Sequence, residues 1–303
     1  MNLQHNQDIE RGIMNKSQEL PSPIGIVGLG LIGGSLGLDL QSIGIAVHGL
    51  VHRSETVKIA QERGLAQVVS TDPQVLKDCE VVFLALPLDQ LIDPSPGLIQ
   101  ALPQDAVITD VGSVKAPVLK VWTQLHPRFV GSHPMAGTAF SGVQAGKIGL
   151  FQDRPWVLTP NPNTDINALD TINKIALSLG SNVIRTDAER HDQSVALISH
   201  LPVLISAALL RTLGDQRDPN ITKLCKNLAS SGFEDTTRVG GGNPDLGTSM
   251  ASNNTAAILK ALSSYRWNLE QIEGAILSGN WNQLHKELEY TKSIRKDCFQ
   301  DNN

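Results

Sequence analysis

IGIVGLGLIGGSLGLDLQS, residues 24–42, begins as a short branched apolar run, breaks at glycines and resumes with helical periodicity. Gly28, Gly30 and Gly33 fit the pattern G-x-G-x-x-G in the strand, turn and helix context that gives it meaning. The first glycine makes the tight turn, the second lets backbone approach a pyrophosphate, and the third lets helix and strand pack closely. Amides at the helix start, those of Leu31 and Ile32 among them, then meet phosphate charge. The stretch therefore predicts a dinucleotide-binding unit.

Outward from it, short branched runs alternate with helical ones. IAVHGLV, VVFLALP and AVITDVG join IGIVGLG as expected buried strands, with helices near 32–42, 55–63, 72–78, 89–101 and 115–125. Such alternation builds a mainly parallel sheet covered on both faces, so the expected class is α/β, Rossmann-like and doubly wound. PWVLTP (155–160) and NVIRTD (182–187), flanking a helical 165–179, are expected as later strands of the same domain, residues 23–187. Beyond Asp187, residues 189–213, 219–230, 254–278 and 280–298 are helical in period with almost no strand signal. Residues 188–303 are thus an expected all-helical domain, whose apolar stripes rich in Ala, Leu and Ile predict burial against a second copy as a homodimer.

At 303 residues the chain exceeds what one hydrophobic core serves, which agrees with two domains. A formal charge of -5 without clustered Lys and Arg gives no reason to expect nucleic acid or an anionic membrane as partner. Cys79, Cys225 and Cys298 are far apart and odd in number, which fits a reducing compartment, the cytoplasm, and no disulfide framework. No His pair has metal-ligand spacing, so no metal is expected. The apolar stretches break at Gly or charge before the roughly 18 residues a membrane span needs. Residues 1–22 lack the apolar core of a signal peptide and read as a disordered polar tail, in which Met14 is an alternative start to Met1.

The second strand runs into HGLVHRSET, residues 48–56. About 20 residues past the glycines an NAD enzyme offers Asp or Glu to the ribose 2′-hydroxyl. Here Val51 or His52 takes that place, followed by Arg53 and Ser54. A carboxylate repels a 2′-phosphate, whereas a guanidinium and a hydroxyl hydrogen-bond it, so NADP is expected ahead of NAD. Arg53 as a merely solvated loop residue is the competing reading. Leu86 and Pro87, closing VVFLALP, complete the expected cofactor-binding set.

Ligands of a doubly wound sheet bind outside the carboxyl ends of its strands. Two such ends carry unusual residues: DVGSVK (110–115) and, after RFVGSH, GSHPMAG (131–137). The Gly and Pro residues of GSHPMAG suit neither a helix nor a strand interior and mark a loop. Ser113 and His133 are expected to converge beside the nicotinamide. A neutral imidazole, with an ordinary pKa of about 6.5, can take a proton from a substrate hydroxyl as hydride leaves its carbon, while Ser113 orients that hydroxyl. A helix N-cap is the alternative role for Ser113. His191 and His200 fall on opposite faces if one regular helix carries both, and His191, next to Asp192, reads as structural.

GLGLIGGS, DVGSVK, GSHPMAG, HDQSVALISHLP (191–202) and GFEDTTR (232–238) occur in the order and roughly the spacing found in prephenate and arogenate dehydrogenases. The chain resembles that family over nearly everything after residue 23. The resemblance implies a helical dimerisation domain beside the Rossmann-like one, and oxidative decarboxylation of a cyclohexadienyl substrate in tyrosine biosynthesis. It also implies His133 as the base at the 4-hydroxyl, Ser113 as its partner, Arg238 as the ligand of a substrate carboxylate, and His200 as a substrate-pocket residue. A guanidinium suits a carboxylate bidentately; a surface pair with Glu234 or Asp235 is the plain alternative for Arg238.

Many prephenate-using members read SHLPH and carry a Trp nine residues after the arginine, where this chain has Val203 and Gly247. Both departures occur together in cyanobacterial-type sequences that resemble arogenate dehydrogenases, so arogenate is the expected substrate and prephenate the second. Two competing readings remain. A reductase or β-hydroxyacid dehydrogenase would use a catalytic Lys, for which only Lys115 or Lys223 offers. An NADP-sensing protein without turnover would leave Ser113, His133 and Arg238 without a shared purpose.

Overall fold

The computed structural model describes residues 20–138 and 140–299. The expected tail lies outside them as far as residue 19, but its end belongs to the fold. Leu20 packs against the core, and the Ser22 hydroxyl accepts a hydrogen bond from Ala46 N at 3.1 Å. The chain divides into two compact units, one ending at Asp192 and the other starting at Gln193.

In the first unit β1 (Ile24–Val27), β2 (Val47–Leu50), β3 (Val68–Ser70), β4 (Val81–Leu84), β5 (Val107–Asp110) and β6 (Phe129–Val130) form one sheet in the order β3-β2-β1-β4-β5-β6. Every pairing is parallel. This is the doubly wound order of dinucleotide folds. Its strands read as continuous apolar runs because both faces are covered. Ile24, Ile26, Val81 and Phe83 enter one core with the helices α1 (Leu31–Ser42) and, later in the chain, Ile166–Ser178. Val27, Val82, Leu84 and Ile108 enter the other with Trp122 and Leu91. The short edge strand β3 was not announced by any apolar run.

After β2 comes α2 (Ser54–Glu62). The helix expected over 89–101 is two, α3 (Leu88–Ile92) and α4 (Pro96–Ala101). Pro94 and Pro96 bracket Ser95, removing amide donors and disfavouring helical backbone before each ring, and the Ser95 hydroxyl starts α4 by accepting from Leu98 N. The expected 72–78 helix is only a 3₁₀ turn, Pro73–Leu76. Next is α5 (Ala116–Leu125).

GSHPMAG, expected as a loop, contains a strand. β7 (Ser132–Pro134) pairs antiparallel with β8 (Pro155–Leu158), which pairs parallel with β9 (Asn182–Arg185) across α6 (Ile166–Ser178). PWVLTP and NVIRTD thus build a second sheet, β7-β8-β9, instead of extending the first. Proline is tolerated in β7 because it is an edge strand, where a missing N–H need cost no ladder bond. Gly131 is required just before it: an added Cβ would lie 2.5 Å from Leu119 Cδ1 and 2.6 Å from Thr159 Oγ1. Trp156 of β8, fully buried, joins this sheet to the main core through ring contacts with Phe83 and Phe151.

The first unit ends within α7 (Ala188–Val195). The second holds a π turn, Ala196–His200, then α8 (Leu201–Gly214), α9 (Pro219–Leu228), α10 (Ser231–Thr237), α11 (Pro244–Asn253), α12 (Thr255–Leu277) and α13 (Trp281–Phe299). Pro202 explains the wider turn, since it has no N–H for the carbonyl four residues back. The regular helix assumed for His191 and His200 is therefore absent. By length and composition Ala188–Gly214 also reaches what a membrane crossing needs, since an 18-residue window within it has mean hydropathy 1.7. Ser, His and Arg interrupt the segment, so it contains no unbroken apolar run of that length.

Candidate active site

The three glycines of the first turn do three different things. Gly28 has φ +92°, and a Cβ there would sit 2.4 Å from Ala85 O, so only glycine makes this turn. At Gly33 it would sit 1.9 Å from Gly28 O, so α1 meets the turn backbone to backbone. At Gly30 it would meet nothing within 4 Å. The space before Gly30 is open, no side chain caps α1, and its first turn carries no acid. The amides of Leu31 and Ile32 face that opening from a helix start, where the dipole favours an anion.

This cradle lies where the strand order reverses, between β1 and β4, and it fits a dinucleotide's pyrophosphate. Half-buried Leu86 and exposed Pro87 follow β4, and His52, Arg53 and Ser54 stand exposed after β2 at the start of α2. The segment after GSHPMAG is strapped to α1 and to the residue that ends α2. Lys147 N donates to Ser35 Oγ at 3.0 Å, Gly149 N donates to Asp39 Oδ1 at 2.7 Å, and the Arg63 guanidinium donates to Gly146 O at 2.7 Å. Burial pushes the Asp39 carboxyl up, the Gly149 amide opposes this, and among the described residues Oδ2 has no hydrogen-bond partner.

DVGSVK and β7 are locked together by a buried ion pair. Asp110 Oδ2 accepts from the Lys115 ammonium and from Gly112 N, and Oδ1 accepts from Ser132 N at 3.2 Å. The ammonium also donates to Ser132 O at 2.7 Å. Burial lowers the Lys115 pKa while Asp110 opposes that shift. A wholly buried, doubly bonded Lys115 is a strut between the two segments, and Lys223 is exposed on α9.

His133 follows Ser132, half-buried, its backbone paired with Val157. Its Nδ1 lies 2.9 Å from His191 Nε2, and His191 Nδ1 lies 2.7 Å from Asp192 Oδ1. The Asp192 carboxylate accepts from Lys115 N at 2.7 Å and from Ala116 N at 2.8 Å. Asp192 therefore caps α5, a role that Ser113 does not take. Ser113 stays half-buried in the turn between Gly112 and the Lys115 strut. His191, read from sequence as structural, instead meets the proposed base. The HD pair was the available signal, but an adjacent Asp192 equally suits a structural histidine.

In the second unit Arg238 ends α10, exposed, and among the described residues it makes no ion pair with Glu234 or Asp235. The turn after it is pressed on α8: Gly240 N donates to Ser206 Oγ at 2.8 Å, and a Cβ on Gly240 would lie 2.3 Å from Ala207 N. His200, expected in a substrate pocket, is 1% exposed, and its Nδ1 lies 3.2 Å from Asn254 Nδ2, so it sits in the interior of this unit. Among the described residues no group of three or more His, Cys, Asp or Glu could hold a metal ion.

Residues 36–185 match the nucleotide-binding domain of prephenate dehydrogenase, and residues 187–290 match its dimerization domain. Cyclohexadienyl dehydrogenase of Zymomonas mobilis is 33% identical over 278 residues, 90% of this chain and 94% of that one. Among solved structures, Synechocystis arogenate dehydrogenase aligns with a TM-score of 0.78 at 41% identity, covering 90% of this chain and 99% of that one. Prephenate dehydrogenase from A. aeolicus, in complex with hydroxyphenyl propionate and NAD+, aligns with a TM-score of 0.86 at 28% identity, covering 93% and 100%. Ile198, Leu228, Leu259, Trp267 and Leu277 are all exposed in a single copy of this chain, the kind of surface a dimerisation domain covers.

Proposed function

The chain belongs to the prephenate dehydrogenase family, and from that premise we propose that it oxidises and decarboxylates arogenate to tyrosine with NADP, prephenate being the second substrate. Gly28, Gly30, Leu31, Ile32 and Gly33 would hold the pyrophosphate, Arg53 and Ser54 the 2′-phosphate, with His52, Leu86 and Pro87 alongside. The bound dinucleotide supplies the hydride acceptor.

His133 takes the proton of the substrate's 4-hydroxyl, oriented by Ser113, as hydride leaves the carbinol carbon and the C–O bond becomes a carbonyl. The ring carboxylate departs as carbon dioxide, and its bonding pair completes the aromatic ring. His133 returns its proton to the phenolate oxygen, so no net proton is taken up. Arg238 binds a substrate carboxylate, a role its exposed guanidinium suits. The protein acts as a cytoplasmic homodimer.

The observation that carries the substrate choice is the joint presence of Val203 and Gly247, in a chain 41% identical to a structural neighbour described as an arogenate dehydrogenase. The test compares kcat/KM for arogenate and prephenate, each with NADP and NAD. Arogenate with NADP should exceed the other pairs by about tenfold or more, a difference of roughly 1.4 kcal/mol in transition-state stabilisation. Preference for prephenate overturns the substrate, and preference for NAD overturns the cofactor.

A further inference from the structure

Two ring nitrogens at 2.9 Å, as in His133 Nδ1 and His191 Nε2, make a hydrogen bond only if one of them carries a proton. Which one does so follows from the other end of His191. Its Nδ1 lies 2.7 Å from Asp192 Oδ1, and both oxygens of that carboxylate already accept from backbone amides, Lys115 N on Oδ1 and Ala116 N on Oδ2. Amides only donate, so the carboxylate is fixed as an acceptor. His191 Nδ1 is therefore the donor to Asp192. In the neutral ring its Nε2 is then an acceptor, and the proton between the two imidazoles sits on His133 Nδ1.

We infer that His191 and Asp192 are a positioning pair that holds His133 in the Nδ1–H tautomer, so that Nε2 is the nitrogen that accepts the substrate proton. This rests on the proposed role of His133 and deepens it. An isolated neutral imidazole in water favours the opposite tautomer, with the proton on Nε2, and in that form the ring offers its basic nitrogen at Nδ1. The pair has the means to impose the choice. His191 and Asp192 are 2% and 5% exposed, the two rings meet edge to face at 73°, and the carboxylate is tied to the start of α5. The arrangement also serves the next moment of the reaction. Once Nε2 is protonated, the imidazolium keeps its Nδ1–H bond to His191, whose ring is polarised by Asp192. The same residues thus set the base and stabilise its conjugate acid.

The experiment uses full-length protein with ¹⁵N-labelled histidine, His133 being assigned by loss of its signals in His133→Asn. Long-range ¹⁵N–¹H correlation at a pH where the rings are neutral should report His133 as the Nδ1–H tautomer in the wild type. His191→Phe removes the acceptor and should move His133 toward Nε2–H. His191→Gln, whose amide oxygen can take the place of Nε2, should restore the Nδ1–H form. In kinetics, His191→Phe should lower kcat by about 10- to 100-fold with KM nearly unchanged, the scale for losing a group that orients a reacting one, and His191→Gln should recover most of that loss. An Nε2–H tautomer in the wild type overturns the inference, and needs no variant to fold. So does a tautomer that His191→Phe leaves unchanged. Wild-type turnover by His133→Asn would instead overturn the proposed base, leaving the tautomer measurement to stand or fall separately.

Discussion

Gly30 and Gly33 are three residues apart, yet substitution by alanine should injure the protein in opposite ways. At Gly33 the new methyl would lie 1.9 Å from Gly28 O and 3.0 Å from Ala85 Cβ. The carbonyl is backbone in a turn already at φ +92°, so relief requires α1 to move by about 1 Å. Overpacking of this kind costs about 3 kcal/mol, and the helix gains about 1 kcal/mol from replacing glycine. A net loss of about 2 kcal/mol should lower Tm by roughly 4–8 °C for a unit of this size. At Gly30 the methyl meets no protein atom, and φ -77°, ψ -155° is open to alanine. The lost cap preference, up to about 1 kcal/mol, is offset by a similar reduction in unfolded-chain entropy. Stability should therefore stay within about 1 kcal/mol. The methyl does, however, enter the space a pyrophosphate must occupy, and NADPH binding should weaken by about tenfold or more, roughly 1.4 kcal/mol. Calorimetric unfolding and fluorescence titration of NADPH on the two variants separate the effects. Wild-type affinity in Gly30→Ala would refute the placement of the cofactor, and wild-type Tm in Gly33→Ala would refute the backbone contact.

Arg53→Ala should weaken NADP binding by tenfold or more while changing NAD binding little, the signature of a lost charge-assisted bond to the 2′-phosphate, about 1.5–3 kcal/mol; equal losses would show that Arg53 is only a solvated residue. Arg238→Ala should remove a similar energy, seen mainly in the KM for the cyclohexadienyl acid, and an unchanged KM would take the guanidinium out of the site. Asp39→Asn tests the strap. Burial raises the Asp39 carboxyl pKa in the folded protein, so between its unfolded value and the raised one the unfolded chain binds fewer protons and stability falls as pH rises. The variant lacks this loss. Its Tm should exceed the wild type's by a margin that opens as pH rises above the ordinary carboxylate range; a margin independent of pH would remove the carboxyl as its cause.

The difference between the legible and the hidden parts of the site follows particular residues. Gly28, Gly30 and Gly33 act within one turn and helix start, so their spacing is their geometry. The strands were visible because sheet faces covered on both sides select unbroken apolar runs, and β3 escaped because it is short and at an edge. GSHPMAG reads as a loop, which holds for its two ends, while Ser132–Pro134 form an edge strand that tolerates the proline arguing against a central one. His191 reads as structural beside Asp192, because its partner His133 lies 58 positions away and no local pattern shows that contact.

What the sequence by itself determined are the features that nearest neighbours create: the dinucleotide turn, the alternating architecture and the change to helices. Only the tertiary structure decided how His133 is held. His191 is 58 positions away and Asp192 reaches Lys115 across 77, and no local pattern encodes which nitrogen meets which. The buried Asp110–Lys115 strut likewise acquires its meaning from Ser132, 17 residues beyond the lysine. Spacing can name a base, but its tautomer depends on hydrogen bonds that exist only after the chain has folded, because a ring nitrogen is donor or acceptor according to the partner it finds.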